Sequence, residues 1–136
     1  MPPSVPIATY RLQLTPSFGF DDAAAAAPYL KAFGISHLYA SPFLKARAGS
    51  SHGYDVVDHN ALNPELGGED AFERLCAALA REDIGLILDF VPNHTSDQHP
   101  WFRESRASRS SPRRDWYIWR DPAPPSGTRA SPGGPP

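Results

Sequence analysis

The chain has 136 residues, with 13 Lys and Arg against 15 Asp and Glu and a net charge of −2; the length supports one modest core, and the charge gives no reason to expect a nucleic-acid or membrane partner. The basic residues between Arg103 and Arg114 are interleaved with Glu104 and several serines and read as a solvated surface. The lone Cys76 has no internal disulfide partner, no apolar run reaches the ~18 residues of a membrane span, and the N-terminus lacks the basic and apolar regions of a signal peptide, so the expected localisation is cytoplasmic, a reducing compartment.

Residues 1–6 are Pro-rich and read as a loose end. Ala8 to Leu14 mixes β-branched, aromatic and apolar residues and predicts a first strand, broken by Thr15-Pro16-Ser17-Phe18-Gly19. Asp21 or Asp22 can cap a helix that runs through the Ala tract to Phe33 and ends at Gly34; Pro28 should kink or weaken it. Ile35 to Ala40 predicts a short second strand closed by Ser41-Pro42. A long polar connection follows, from Phe43 to about Gly68. Connections of that length without regular structure of their own are uncommon and often functional.

From Glu69 to Arg81 the pattern is helical, with Phe72, Leu75, Cys76 and Leu79 at i, i+3, i+4 and i+7; Cys76 therefore reads as a core residue and not as a nucleophile. Gly85 to Phe90 is nearly all apolar and suits a parallel strand buried on both faces. Asp89 interrupts it at its C-terminal end, and Pro92, with no N–H, stops the ladder. Thr95 to Ser108 predicts a loop leading into a short helix, and Arg114 to Arg120 an aromatic-rich extended piece able to pack over a site. Pro122 to Pro136 holds six Pro and three Gly and reads as a disordered tail. The expected division is thus a loose end at 1–6, a folded part at 7–121 and a tail at 122–136.

Alternating strands and helices predict an α/β fold with a parallel sheet. Its closed forms are a doubly wound sheet and a (β/α)8 barrel; about three βα units make an incomplete version of either. In both, loops after strand C-termini collect ligand-binding residues. Asp89, Asn93 and His94 stand in one such loop, and His52, Tyr54 and Asp55 in another. Carboxylates, an amide and imidazoles bind hydroxyls while an aromatic ring stacks on the apolar face of a pyranose, so the set suits a sugar. The bland alternatives are a buried Asp89 that satisfies loop amides and a Tyr54 that merely covers the rim. Trp101, Trp116 and Trp119 read as packing residues before stacking surfaces. The five His show no zinc spacing and no Cys partner. Gly67-Gly68 reads as a turn and not a phosphate loop, and no Ser sits in a nucleophile elbow. No metal and no cofactor are expected.

Asp89-Phe90-Val91-Pro92-Asn93-His94 resembles the first signature region of the α-amylase superfamily of (β/α)8-barrel glycosidases and transglycosidases, and Gly53-Tyr54-Asp55-Val56 resembles its second-strand loop, in the right order. Residues 7 to about 94, through Ala8–Leu14, Ser36–Pro42 and Ala48–Gly68, are most similar to the malto-oligosyltrehalose synthase branch. Asn93–Phe102 and Arg114–Pro122 are similar instead to α-glucosidases and trehalose synthase. The resemblance implies the N-terminal part of a (β/α)8 barrel, a maltodextrin or other α-glucan oligosaccharide as ligand, and intramolecular transglycosylation forming a trehalosyl unit in the full-length relative. It implies that Tyr54 stacks under the sugar, that His94 binds its hydroxyls, that Asp55 holds an Arg steadying the nucleophile, and that Asp89 and Asn93 fix the loop, Asn93 being a calcium ligand only in calcium-dependent amylases; His52 joins the substrate-binding set through its place in the Tyr54 loop. In the family the nucleophile, the acid/base and a third Asp follow strands four, five and seven. This stretch holds none of those strands, so no catalytic residue is assigned and the chain alone is expected to be inactive. The alternatives are an α-glucosidase or trehalose synthase, and a non-catalytic sugar-binding module.

Overall fold

β1 (Thr9–Leu12), β2 (His37–Ala40) and β5 (Gly85–Leu88) form a parallel sheet in the order β1-β2-β5, in a computed structural model that describes residues 5–120. The register aligns Arg11, Tyr39 and Ile87 in one row and Leu12, Ala40 and Leu88 in the next. Side chains alternate between faces along a strand, so one face carries Tyr10, Leu38 and Leu86 with Leu12, Ala40 and Leu88. That face packs under the helices, where Phe20, Leu30, Leu38, Leu75 and Leu79 are almost wholly removed from solvent. The opposite face is only partly covered and β5 is an edge strand of the described sheet, so all four of its residues are half-buried and not buried on both faces as its apolar run suggests. The loose end and the Pro/Gly-rich tail read from the sequence fall largely on residues 1–4 and 121–136, which lie outside the described residues, as does the expected boundary at 121.

Two helices stand where one kinked helix is expected: α1 (Phe20–Ala25) and α2 (Ala27–Ala32), separated at Ala26. Pro28 is the physical reason. Inside a continuous helix its ring would press on the carbonyl of Ala24 and its missing N–H would orphan that group, whereas in the first turn of α2 that N–H has no partner to lose. The start of α1 is closed by the Gly19 N–H, which donates to Asp22 Oδ2 at 2.8 Å.

α3 (Gly68–Arg81) turns Ala71, Leu75, Ala78 and Leu79 inward. One residue on from Leu75 is a further ~100° around the helix, which carries Cys76 to the solvent side: it is exposed and not a core residue. Its thiol is pushed up from the ordinary value by desolvation and, second, by Glu73, which disfavours the thiolate a nucleophile needs.

The long connection between β2 and α3 has regular structure of its own. β3 (Leu44–Ala46) and β4 (Val56–Leu62) pair antiparallel as an irregular hairpin, with register shifts between Leu44 and Lys45 and between Lys45 and Ala46. A 3-10 turn at Pro64–Leu66, with the Asn63 side chain accepting from the Glu65 N–H, leads into α3. The last described elements are α4 (Pro100–Ala107) and a 3-10 turn at Arg114–Trp116.

Candidate sugar-binding site

The hairpin holds residues 47–55 over the C-terminal end of the parallel sheet. Its tip is closed from within: the Arg47 N–H donates to the Asp55 carbonyl at 3.0 Å and the Ser50 N–H to the Arg47 carbonyl at 3.0 Å. The buried Ser50 hydroxyl accepts from the Gly53 N–H at 3.0 Å and donates to Asp55 Oδ1 at 2.5 Å. Gly53 sits at φ 78°, and a Cβ there would lie 2.9 Å from the Pro42 carbonyl oxygen; only glycine fits both conditions. This fixed turn aims the next residue, Tyr54, at the sheet.

Tyr54 donates its hydroxyl to Asp89 Oδ2 at 2.6 Å and accepts from Arg11 Nη2 at 3.2 Å. Arg11 also reaches Gln13 Oε1 at 3.2 Å, and its guanidinium lies 5.6 Å from the centre of the Tyr39 ring. The Asp89 carboxylate beside the Tyr39 hydroxyl is the main cause that pushes that phenol up from its ordinary value. The bond to Tyr54 is likewise the main cause that raises Arg11 further. Arg11, Tyr54 and Asp89 thus make one charge-assisted network beside Tyr39, joining the ends of β1 and β5 to the hairpin loop.

His94 completes the junction. Its Nε2 lies 3.1 Å from the Tyr54 carbonyl oxygen, which can only accept, so Nε2 carries the proton. Nδ1 is then the acceptor that faces Asn93 Nδ2 at 3.4 Å. His52 lies beside Tyr54, with ring centroids 6.0 Å apart, and its Nδ1 accepts from the Tyr54 N–H at 3.0 Å.

All six residues singled out from the sequence meet in this region, though not all in the geometry expected. Tyr54, His94, His52 and Asp55 line one cleft of about 360 Å³ together with Arg47 and Asp97. Asp89 lies beneath Tyr54 and ties the two loops together, which is more than holding its own. Asp55 is engaged by Arg47, whose Nε is 3.2 Å from Oδ2, and by Ser50. Asn93 reaches His94 only through a long contact, the one a ligand hydroxyl could most readily replace at Nδ1. Among the described residues no three His, Cys, Asp or Glu side chains converge as a metal ion requires.

Sequence reasoning passed over Arg11, Tyr39, Arg47 and Ser50. Arg11 and Tyr39 were visible only as members of strands; what exposes their role is the register that aligns them. Arg47 and Ser50 belong to the hairpin tip, whose strands were not foreseen. Beyond His94 the aromatic piece expected to be extended begins instead with the 3-10 turn at Arg114–Trp116 and packs on α4: Trp101 meets Trp116 edge to face at 5.3 Å, and Trp119 stacks on Phe102 at 5.7 Å.

A family model described as the alpha amylase catalytic domain matches residues 24–134. An alpha-glucosidase of Schizosaccharomyces pombe is 41% identical over 92 residues, which cover 68% of this chain and 16% of that protein. A putative maltooligosyl trehalose synthase of Mycobacterium tuberculosis is 46% identical over 105 residues, 71% of this chain and 14% of that protein. Among solved structures, a maltooligosyltrehalose synthase from Arthrobacter ramosus matches with a TM-score of 0.77 at 38% identity, over 82% of this chain and 16% of that one. A trehalulose synthase variant matches at 0.74 and 35% identity, over 84% of this chain and 22% of that one. The chain therefore spans only a small part of the length of each. The sheet and its helices are part of a (β/α)8 fold.

Proposed function

Because this chain belongs to the alpha-amylase family through that family's catalytic domain, we propose that it forms the substrate-binding sector of an enzyme acting on α-glucan oligosaccharides. The preferred activity for the whole enzyme is that of a malto-oligosyltrehalose synthase, an intramolecular transglycosylation that turns the reducing end of a maltodextrin into a trehalosyl unit. The observation that carries the reading is the junction of the two loops: Tyr54 bonded to Asp89 at 2.6 Å and His94 to the Tyr54 carbonyl at 3.1 Å. That junction holds the Tyr54 ring in place as a stacking surface and sets imidazole and carboxylate edges around the same cleft, as a pyranose requires.

In this reading Tyr54 stacks under one glucosyl ring, His94 and His52 bind its hydroxyls, Asp55 steadies the cleft through Arg47, and Asp89 with Asn93 positions the loop. None of these residues cleaves a bond. A retaining mechanism needs a nucleophilic carboxylate and an acid about 5 Å apart across the glycosidic oxygen. Asp55 and Asp89 are instead spent on Arg47, Ser50 and Tyr54. The likeness to the fission-yeast alpha-glucosidase favours a second reading, a whole enzyme that hydrolyses.

The test is calorimetric titration of the chain with maltopentaose, together with an assay for glucose release and loss of reducing ends. Saturable binding that His94→Ala and Tyr54→Ala each weaken at least about tenfold, a loss of about 1.4 kcal/mol, with no turnover, is the expected result. Turnover that Asp89→Asn abolishes would show that this chain carries its own catalytic carboxylate.

A further inference from the structure

We propose that the hollow where the β3–β4 hairpin meets α4 is a binding site for a phosphate group, free or carried on a sugar. The hollow is about 370 Å³ and is lined by Lys45, Arg47 and Asp58 of the hairpin, Gln98 of the following loop and Arg103 of α4. Cations from separate parts of the chain thus border one space. Arg47 also lines the Tyr54 cleft, so the two spaces share a wall; the inference itself does not need the sugar reading.

What marks the cluster is that its donors are unspent. The side chains of Lys45 and Arg103 make no hydrogen bond or ion pair with another described residue. Arg47 meets Asp55 through its Nε, 3.2 Å from Oδ2, and donates neither Nη group in a hydrogen bond to a described residue. The carboxylates nearby are engaged elsewhere. Asp58 faces Lys45 across the hairpin register without closing an ion pair, and its Oδ1 accepts from the Asn60 N–H at 2.9 Å. Glu104, next to Arg103, is taken by Arg113. Three cations therefore border the hollow against Asp58 in its wall and Asp55 behind Arg47, and the balance is positive. A concave wall with such a balance concentrates anions. Three separate donors suit a tetrahedral anion, whose oxygens can accept from an ammonium and two guanidinium forks at once, over a planar carboxylate with two oxygens. The Gln98 amide and the N-terminal end of the eight-residue α4 at Pro100 add partial positive charge at the same rim. Because Lys45 and Arg103 are exposed, each contact is weakened by water, and a Kd of about 1 mM for inorganic phosphate is expected.

Amide NMR spectra of the full chain, titrated with inorganic phosphate at constant ionic strength, test the site. The amides of Lys45, Val57, Gln98 and Arg103 are expected to shift together and to saturate, while chloride at the same ionic strength and glucose alone leave them in place. Lys45→Gln and Arg103→Gln, both at the surface, should each raise the half-saturating concentration about three- to tenfold. Arg81→Gln removes an equal charge from a different hollow, between α1 and α3, and should leave that concentration unchanged. Shifts that fail to saturate, that chloride or glucose reproduces, or that Arg81→Gln weakens equally would overturn the proposal. Glucose 6-phosphate then identifies the carrier. If it saturates the same four amides and also moves the Tyr54 amide, the site holds the phosphate of a sugar whose ring lies across Arg47 in the Tyr54 cleft. If the Tyr54 amide stays silent, the site takes the phosphate group alone. Either result upholds the phosphate site, and saturation by neither compound would overturn it.

Discussion

On one face of the parallel sheet Leu38, Ala40, Leu86 and Leu88 pack into the apolar cluster under α1, α2 and α3; on the other, Arg11 lies against the Tyr39 ring and is joined through Tyr54 to Asp89. The same strands supply both, by alternate residues. The first face gains free energy from removing apolar area from water, which is indifferent to direction. The second gains it from directed, charge-assisted bonds, which hold groups at set positions at the strand ends. The packing core and the proposed binding site are thereby placed back to back, one residue apart, and substitutions on the two faces should fail in different ways.

The largest expected effect belongs to the apolar face. Leu75→Ala removes a side chain with no solvent exposure and should cost about 2–5 kcal/mol, the transfer loss plus a cavity. Urea denaturation measures it. The protein that remains folded should bind maltotriose as before; a changed affinity in the folded fraction would mean that the two faces are not separable.

Asp89→Asn tests the opposite side. The amide keeps the volume but loses the charge that Tyr54 donates to, a cost of about 1–3 kcal/mol for a weakened charge-assisted bond. The expected signature is disproportionate: maltotriose affinity falls about tenfold or more because Tyr54 is no longer held, while far-ultraviolet dichroism stays unchanged. Full affinity in a variant destabilised to this extent would make the network a structural clasp only.

The two faces also differ in how far they could be read beforehand. Periodicity finds the apolar one, since Leu75 and Leu79 recur at helical spacing and Leu86 and Leu88 at strand spacing. The meeting of Tyr54, Asp89 and His94 was legible as well, because both loops follow strand ends in a parallel sheet. The partners Arg11 and Tyr39 were not, because a register is set between strands and leaves no mark within either one. The β3–β4 hairpin escaped because Leu44–Ala46 is very short and Asp58, His59 and Asn60 break the apolar alternation of Val56–Leu62. Cys76 was misplaced because Ala71 and Ala78, small enough to pass unnoticed, set the true centre of the buried stripe.

A third region joins the comparison, where α4 meets the hairpin. His99 is 3% exposed and caps α4, its Nδ1 accepting from the Trp101 N–H at 3.1 Å. Nε2 therefore carries the proton, and it has no partner among the described residues. The His59 Nε2 lies 3.2 Å from the Val91 carbonyl, which leaves its Nδ1 as an unpaired acceptor. Desolvation first and His59 second lower the His99 pKa below its ordinary value, against the opposing pull of Asp58. A lowered imidazole favours the neutral form in the fold. Its stabilisation is complete above the unfolded value of about 6.5 and is lost as pH falls from there through the folded value. Protonation also removes the acceptor that caps α4. The urea midpoint should drop on acidification through this window. His99→Asn, which can still cap but cannot titrate, should flatten that drop; an unchanged slope would place the titrating group elsewhere.

The smallest effect is expected at Cys76, where the sequence pattern and the fold disagree most directly. If the heptad-like spacing with Phe72 and Leu79 decided burial, Cys76→Ser would bury a hydroxyl and destabilise the chain, at about 1–3 kcal/mol for an unpaired one. In the fold Cys76 stands on the exposed flank of α3 beside Glu73, so the serine can bond to water and the change should stay within about 0.5 kcal/mol. The same placement predicts the chemistry of the thiol. Iodoacetamide should reach Cys76 in the native protein without denaturant, because the residue is exposed. The reaction should nonetheless be slow at neutral pH and accelerate as pH rises, because desolvation and the Glu73 carboxylate both hold the thiolate back. Glu73→Gln should speed it modestly by removing the second of those causes. A thiol that reacts only after urea is added would return Cys76 to the core.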